Sequence, residues 1–146
     1  MDDHRWMGRA VELTHRCPRS ETAFAVGAVI VDADGHEIAS GWSRDADPYV
    51  HAEESALIRA AGDRRLRRAT LYSTLEPCSK RSSRPHATCV SLIIAAGIPR
   101  VVIAWREPDI FVTCEGIALL TAAGAEVVEL PEFAEAAQSA NAHLRT

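Results

Sequence analysis

Apolar and polar positions alternate along this chain with two different periods. Residues 3–16 place Trp6, Met7, Ala10, Val11 and Leu13 on one helical stripe. Cys17-Pro18 ends that helix, because the residue before proline is pushed out of the helical region. The run Ala25–Val31 then reads as a buried strand, and Asp32-Ala33-Asp34-Gly35 as a hairpin turn in which Gly35 takes positive φ. His36–Trp42 is the partner strand. Asp47–Val50 is a loop, followed by a helix from about Ala52 to Ala61 with Leu57, Ile58 and Ala61 inward and Gly62 as its stop. Thr70–Leu75 is a strand that ends at Glu76-Pro77, and residues 79–88 form a polar loop. Cys89–Ala96 is an apolar helix stopped by Gly97 and Pro99. Val101–Trp105 is a strand, Glu115–Ala123 a helix stopped by Gly124, Ala125–Leu130 a strand, and Pro131–Leu144 a closing helix with proline in its first turn.

The order is α-β-β-α-β-α-β-α-β-α. A hairpin followed by strand–helix alternation predicts an α/β fold, a mixed five-stranded sheet with helices on both faces. Ligand sites in such sheets collect beyond the strand ends where connections switch direction. Repeats, low-complexity tracts and long linkers are missing, and 146 residues suit a single domain spanning 1–146.

Composition narrows the function classes. Sixteen basic against twenty acidic residues give a formal net charge of -4, which disfavours non-specific binding to nucleic-acid backbones. The chain carries no apolar run of membrane-spanning length and no signal-peptide core near its start, so a cytoplasmic location with no membrane partner is expected. Four cysteines, Cys17, Cys78, Cys89 and Cys114, in that compartment point to metal or catalysis before disulfides.

Three short pieces carry the chemistry: His51-Ala52-Glu53 at a helix start, Glu76-Pro77-Cys78 at a strand end, and Cys89 at the next helix start. One imidazole and two thiolates suit zinc, and three protein ligands leave a tetrahedral position open, the catalytic arrangement. Water in such a position has its pKa lowered to roughly 7. Glu53, two residues from His51, points away from the shared ion on a helical turn and is placed to shuttle protons for a hydrolysis. The positive ends of two helices favour the thiolates.

The ordered pattern His-x-Glu, Pro-Cys, Cys is the signature of zinc-dependent nucleobase deaminases. With ten residues between Cys78 and Cys89, the chain resembles the pyrimidine deaminase domain of riboflavin biosynthesis, whose two cysteine ligands are separated by a long loop. The resemblance runs nearly end to end. It includes His51-Ala52-Glu53, Thr74-Leu75-Glu76-Pro77-Cys78-Ser79, Leu92–Gly97 with Arg100-Val101-Val102, and the Gly116–Gly124 helix with Ala125-Glu126-Val127. It implies a three-layer αβα cytidine-deaminase-like fold, zinc held by His51, Cys78 and Cys89, and Glu53 as general acid/base. It also implies a homodimer or larger homo-oligomer acting with water on a small heterocyclic amine. The implied substrate is the diaminopyrimidinone ribosyl phosphate of riboflavin synthesis, with cytosine- or guanine-type bases, nucleosides or nucleotides as alternatives. With 146 residues, the reductase domain often fused to this family's deaminase is not expected here.

Several positions depart from the family. Its Asn-Pro-Asn-Val-Gly segment is Ala23-Phe24-Ala25-Val26-Gly27 here, its loop after the first cysteine is Ser79-Lys80-Arg81-Ser82-Ser83-Arg84-Pro85-His86, and its Asp-Pro-Asn-Pro is Glu107-Pro108-Asp109-Ile110. Substrate contacts are expected from Phe24, Ala52, Glu76, Lys80, Arg84 and His86. Phe24 stacks on a flat ring or fills the core. Glu76 supports a ligand loop or orients the turn before Pro77. Lys80, Arg81 and Arg84 hold an anion or form a solvated loop. Asp45, Asp47 and Tyr49 line the mouth or lie on the surface. Two readings from other classes remain. One is a non-catalytic zinc module closed by His86 or Cys114 as fourth ligand. The other is a redox pair of Cys78 and Cys89.

Overall fold

Leu71, Tyr72, Ile30, Val101 and Ile103 are fully buried, because the strands that carry them are covered on both faces. A computed structural model describes residues 2–81, 87–106 and 115–144. The elements are α1 (Asp3–Thr14), β1 (Gly27–Val31), β2 (Glu37–Trp42), α2 (Ala52–Arg59), β3 (Thr70–Leu75), α3 (Cys89–Ala96), β4 (Arg100–Trp105), α4 (Gly116–Ala122), β5 (Glu126–Glu129) and α5 (Ala134–Gln138). The sheet order is β2-β1-β3-β4-β5. β1 runs antiparallel to β2 and β3, with Val29 opposite Ser40 and Tyr72. β3, β4 and β5 are parallel, with Tyr72 opposite Val102 and Val102 opposite Val128.

Two glycines set the layers. A Cβ on Gly27 would lie 2.0 Å from the Ala10 carbonyl oxygen, so α1 rests directly on β1. Gly41, paired with Ala28 and therefore on the opposite face, would meet Ala52 O at 2.6 Å and Ala56 N at 2.8 Å. Helix α2 therefore covers the other face. Helix α5 packs with α1, and α3 packs between α2 and α4, which gives three αβα layers. One apolar cluster runs from Trp6 to Ala137. No helix of the described residues is long and apolar enough to cross a membrane.

Strand β3 and helix α3 have the predicted limits. Helix α1 stops at Thr14, two residues before the predicted end. Ile58 and Ala61 do not face inward: both are exposed, Ile58 by 64%. The reason is the close seat of α2 on Gly41, which turns the small residues Ala52, Ser55 and Ala56 to the sheet. The closing segment is not one helix but Pro131–Phe133 (3-10), α5, and Ser139–Leu144 (3-10). Side chains there bond back to the backbone and tighten the turns. Ser139 donates to Ala136 O, and buried Asn141 takes the Ala25 N–H at 2.6 Å while donating to Ala25 O at 3.0 Å.

Candidate active site

The site lies beyond the carboxyl end of β3, the strand with an antiparallel neighbour on one side and a parallel one on the other. This is the switch point where ligands gather in open α/β sheets. Past Leu75, the Glu76 N–H donates to Trp105 O at 2.9 Å and holds the chain against β4 for one more residue. Pro77 then breaks the pairing, and Cys78 turns inward. His51 is the residue before the first turn of α2, in extended conformation. Its N–H donates to the Glu54 carboxylate at 3.2 Å, the reciprocal half of a capping box. Thr88 caps α3 through its hydroxyl, which accepts the Ser91 N–H at 3.2 Å, and Cys89 begins that helix.

These three ends bring three donors together. His51 Nδ1 lies 3.5 Å from Cys78 Sγ and 3.4 Å from Cys89 Sγ, and all three atoms lie within 4.8 Å of one another. Zinc bonds of about 2.3 Å to sulfur and 2.0–2.1 Å to nitrogen, in a tetrahedron, separate N and S by about 3.5 Å. The donor set therefore fits zinc in both chemistry and spacing. Among the described residues it is the one group of this kind. Cys17 stands apart, donating to Val26 O at 3.4 Å.

The electrostatics favour charge on Cys78 and His51, while the hydrogen bond to Cys78 and burial raise the Cys89 thiol. The Cys89 thiol, the His51 ring and the backbone N–H of Cys89, 3.3 Å away at the start of α3, hold the Cys78 thiol down to about 4. Burial works against charge on His51, but the Cys78 thiolate and the Glu53 carboxylate outweigh it and raise the imidazole. Glu53 is buried, and loss of water pushes its carboxyl up to about 7, against the pull of His51.

A cavity of about 360 Å³ opens onto His51, Glu53 and Cys78. Phe24, Ala52, Glu76 and Lys80 all line it, so four of the six residues expected to contact a substrate reach the same space. Phe24 is buried, with its ring edge-on to Trp105 at a centroid distance of 5.5 Å. Arg84 and His86 lie outside the described residues, as do Cys114 and the 107–110 segment. Glu76 also accepts the Ile117 N–H at 3.0 Å, and Ser79 Oγ accepts the Glu115 N–H at 2.9 Å. The ligand turn is thus sewn to the start of α4. Gly116 permits this, since a Cβ there would lie 2.2 Å from Pro77 O.

Tyr49 lines the cavity, but Asp45 does not. Its buried carboxylate instead takes hydrogen bonds from Ser55 Oγ, Arg59 and the Trp42 N–H. Asp47 accepts the Tyr49 N–H at 2.7 Å. Sequence reasoning missed one cation on the cavity wall, Arg44, and read a second, Arg81, as an anion holder or a solvated loop residue. Arg44 has a left-handed backbone (φ 61) and donates to Pro18 O and Phe24 O. Arg81 turns inward and pairs with Glu54 at 2.8 Å, which overturns the reading of it as a solvated loop residue. Neither has a local sequence signal, because both are fixed by partners distant in the chain.

A family model described as the cytidine and deoxycytidylate deaminase zinc-binding region matches residues 1–105. The diaminohydroxyphosphoribosylamino-pyrimidine deaminase of Schizosaccharomyces pombe is 41% identical over 132 residues, covering 88% of this chain and 32% of that protein. The riboflavin biosynthesis protein RibD of Escherichia coli is 38% identical, covering 94% of this chain and 36% of that protein. Among solved structures, Acinetobacter baumannii RibD superposes with a TM-score of 0.83 at 32% identity, covering 98% of this chain and 39% of that one. The chain thus spans about a third of the length of the curated relatives it matches.

Proposed function

The chain belongs to the cytidine and deoxycytidylate deaminase zinc-binding family, and from that premise we propose that it is a hydrolytic deaminase releasing ammonia from an amino-substituted pyrimidine-like or purine-like ring. The observation that carries the reading is the meeting of His51 Nδ1 with two thiols at 3.4 and 3.5 Å, beside a buried carboxylate, on one cavity. His51, Cys78 and Cys89 are the residues that would hold zinc, with Glu53 as acid/base. When bound, the ion acts as a Lewis acid that makes water a nucleophile near neutral pH.

The chain's own residues do the rest. Glu53 takes a proton from the attacking water and gives it to the ring nitrogen. It then carries the second proton from the added hydroxyl to the amino group, which leaves as ammonia while the ring carbon becomes a carbonyl. Phe24 presents an aromatic surface to the ring. Lys80 and Arg44 place positive charge on the cavity wall, which suits a phosphorylated substrate.

The preferred substrate is the diaminopyrimidinone ribosyl phosphate of riboflavin synthesis, supported by the names of the relatives. A second reading, a different amino-heterocycle, is favoured by Ala23, which lines the cavity without an amide group. We read the protein as cytoplasmic, where its thiols stay reduced. We also read it as a homo-oligomer, supported by the exposed Ile58, Ile94 and Leu119 on the α2–α4 layer. An ammonia-release screen of zinc-loaded protein over pyrimidines, purines and their phosphates tests the function. Turnover of the ribosyl phosphate supports the first substrate, turnover of another heterocycle the second, and no ammonia from any of them refutes deamination.

A further inference from the structure

Three chain segments supply the donors, and one side chain touches neighbours of all three. Arg81 sits three residues after Cys78, with its side chain only 2% exposed. Its guanidinium donates to Ala87 O at 2.9 Å, two residues before Cys89. It donates to the carbonyl of Tyr49, two residues before His51. It also pairs at 2.8 Å with Glu54 Oε1, the oxygen that accepts the His51 N–H at 3.2 Å. Arg81 Nε has no partner among the described residues, so these contacts through the two terminal nitrogens set its orientation.

An arginine buried this deeply in a loop is costly unless its charge is matched and its donors are used. Here the match comes from a carboxylate 27 residues earlier in the chain. Its fork geometry spans three acceptors that an ammonium would bridge less well. Groups behind a metal's ligands set ligand orientation, and losing them costs affinity and rate even though they never touch the ion.

We propose that Arg81 is a positioning residue: through Glu54 and the carbonyls of Tyr49 and Ala87, it fixes His51, Cys78 and Cys89 in register for the metal. The inference rests on the zinc-deaminase reading above. It places this role on a loop side chain that lies at the cavity wall but is outside the donor set of His51, Cys78 and Cys89.

The test uses the full chain, zinc-loaded, as wild type, Arg81→Met, Arg81→Lys and Glu54→Gln, each checked for folding by circular dichroism. Zinc release to a chromogenic chelator is measured at a temperature well below unfolding, together with kcat and KM. Arg81→Met should release zinc about 10- to 100-fold faster and lose kcat to a similar extent, with KM little changed. Arg81→Lys keeps the charge but loses the fork. It should fall between wild type and Arg81→Met, and it carries the test if the methionine variant does not fold. Combining Arg81→Met with Glu54→Gln should cost less than the product of the two single effects.

Zinc release as slow as wild type in folded Arg81→Met and Arg81→Lys overturns the proposal, even if both melt at lower temperature. A rise in KM alone also overturns it, since that would place Arg81 on the substrate. If the wild type takes up no zinc, the underlying reading fails with it. If release and Arg81 dependence behave as expected but no heterocycle is turned over, the deaminase reading fails while the positioning role stands.

Discussion

Replacing Gly116 by alanine should loosen the ligand turn, and the structure sets the size of the effect. The new Cβ would lie 2.2 Å from Pro77 O, and the obstacle is backbone that cannot rotate away. A carbon rests no closer than about 3.3 Å to a carbonyl oxygen, so the start of α4 must retreat by about 1 Å (3.3 less the 2.2 Å available). That retreat lengthens two bonds now at 3.0 and 2.9 Å, Ile117 N–H to Glu76 and Glu115 N–H to Ser79, beyond useful range. Losing one bond to a carboxylate and one to a hydroxyl costs about 2–4 kcal/mol together. Alanine returns at most about 1 kcal/mol of helix propensity. The net loss is about 1–3 kcal/mol, or a fall in melting temperature of about 3–10 °C.

Gly8→Ala is the matched control. Gly8 lies within α1 with nothing within 4 Å of a new Cβ, so the same substitution should stabilise by about 0.5–1 kcal/mol. Urea unfolding of the three proteins, zinc-loaded and at equal concentration, measures both. Equal midpoints for Gly116→Ala and wild type would refute the close approach of α4 to the ligand turn.

Glu53→Gln keeps the buried shape and should lower kcat by about 10²- to 10⁴-fold, with zinc content by atomic emission and the circular dichroism spectrum unchanged; activity near wild type removes Glu53 from the proton path. Asp3 holds a paired carboxylate: its hydrogen bond from Arg100 lowers its pKa against the effect of burial, with help from Tyr72. A depressed carboxyl stabilises the fold above its unfolded value of 3.8 and loses that contribution as pH falls through the lower folded value. Asp3→Asn should therefore cost about 1–2 kcal/mol at pH 6 in urea unfolding, a difference that shrinks below pH 4; a constant gap would contradict the pairing. Asn141→Ala should destabilise by about 2–4 kcal/mol, because it orphans both the N–H and the carbonyl of buried Ala25; hydrogen exchange at Ala25 should rise with it, and unchanged exchange would refute the clasp.

Element order, strand β3 and helix α3 were legible because local chemistry marks them. Gly97 has φ 75 and ends α3 where a left-handed residue is needed. The meeting of His51, Cys78 and Cys89 was legible for a related reason: each stands at an element end, where a side chain can leave the packing and meet others. The inner face of α2 was not legible by apolar periodicity. Its seat against Gly41 demands small residues and leaves Ile58 outside. Arg81 was equally hidden, since a polar loop residue beside Lys80 looks solvated until Glu54 and the Tyr49 and Ala87 carbonyls surround it. The role of Glu76 and Ser79 in holding α4 depends on a helix start 36 to 41 residues away. No spacing rule connects such pairs.

X-ray absorption at the zinc edge of the stoichiometrically loaded protein counts the ligands around the ion. The expected spectrum has one zinc per chain with two sulfur ligands at about 2.3 Å, one imidazole nitrogen at about 2.0–2.1 Å and one light-atom ligand from solvent. The loss of a single sulfur is predicted for Cys78→Ser or Cys89→Ser. A closed set of four protein ligands, or a chain that binds no stoichiometric zinc, would contradict the open zinc site.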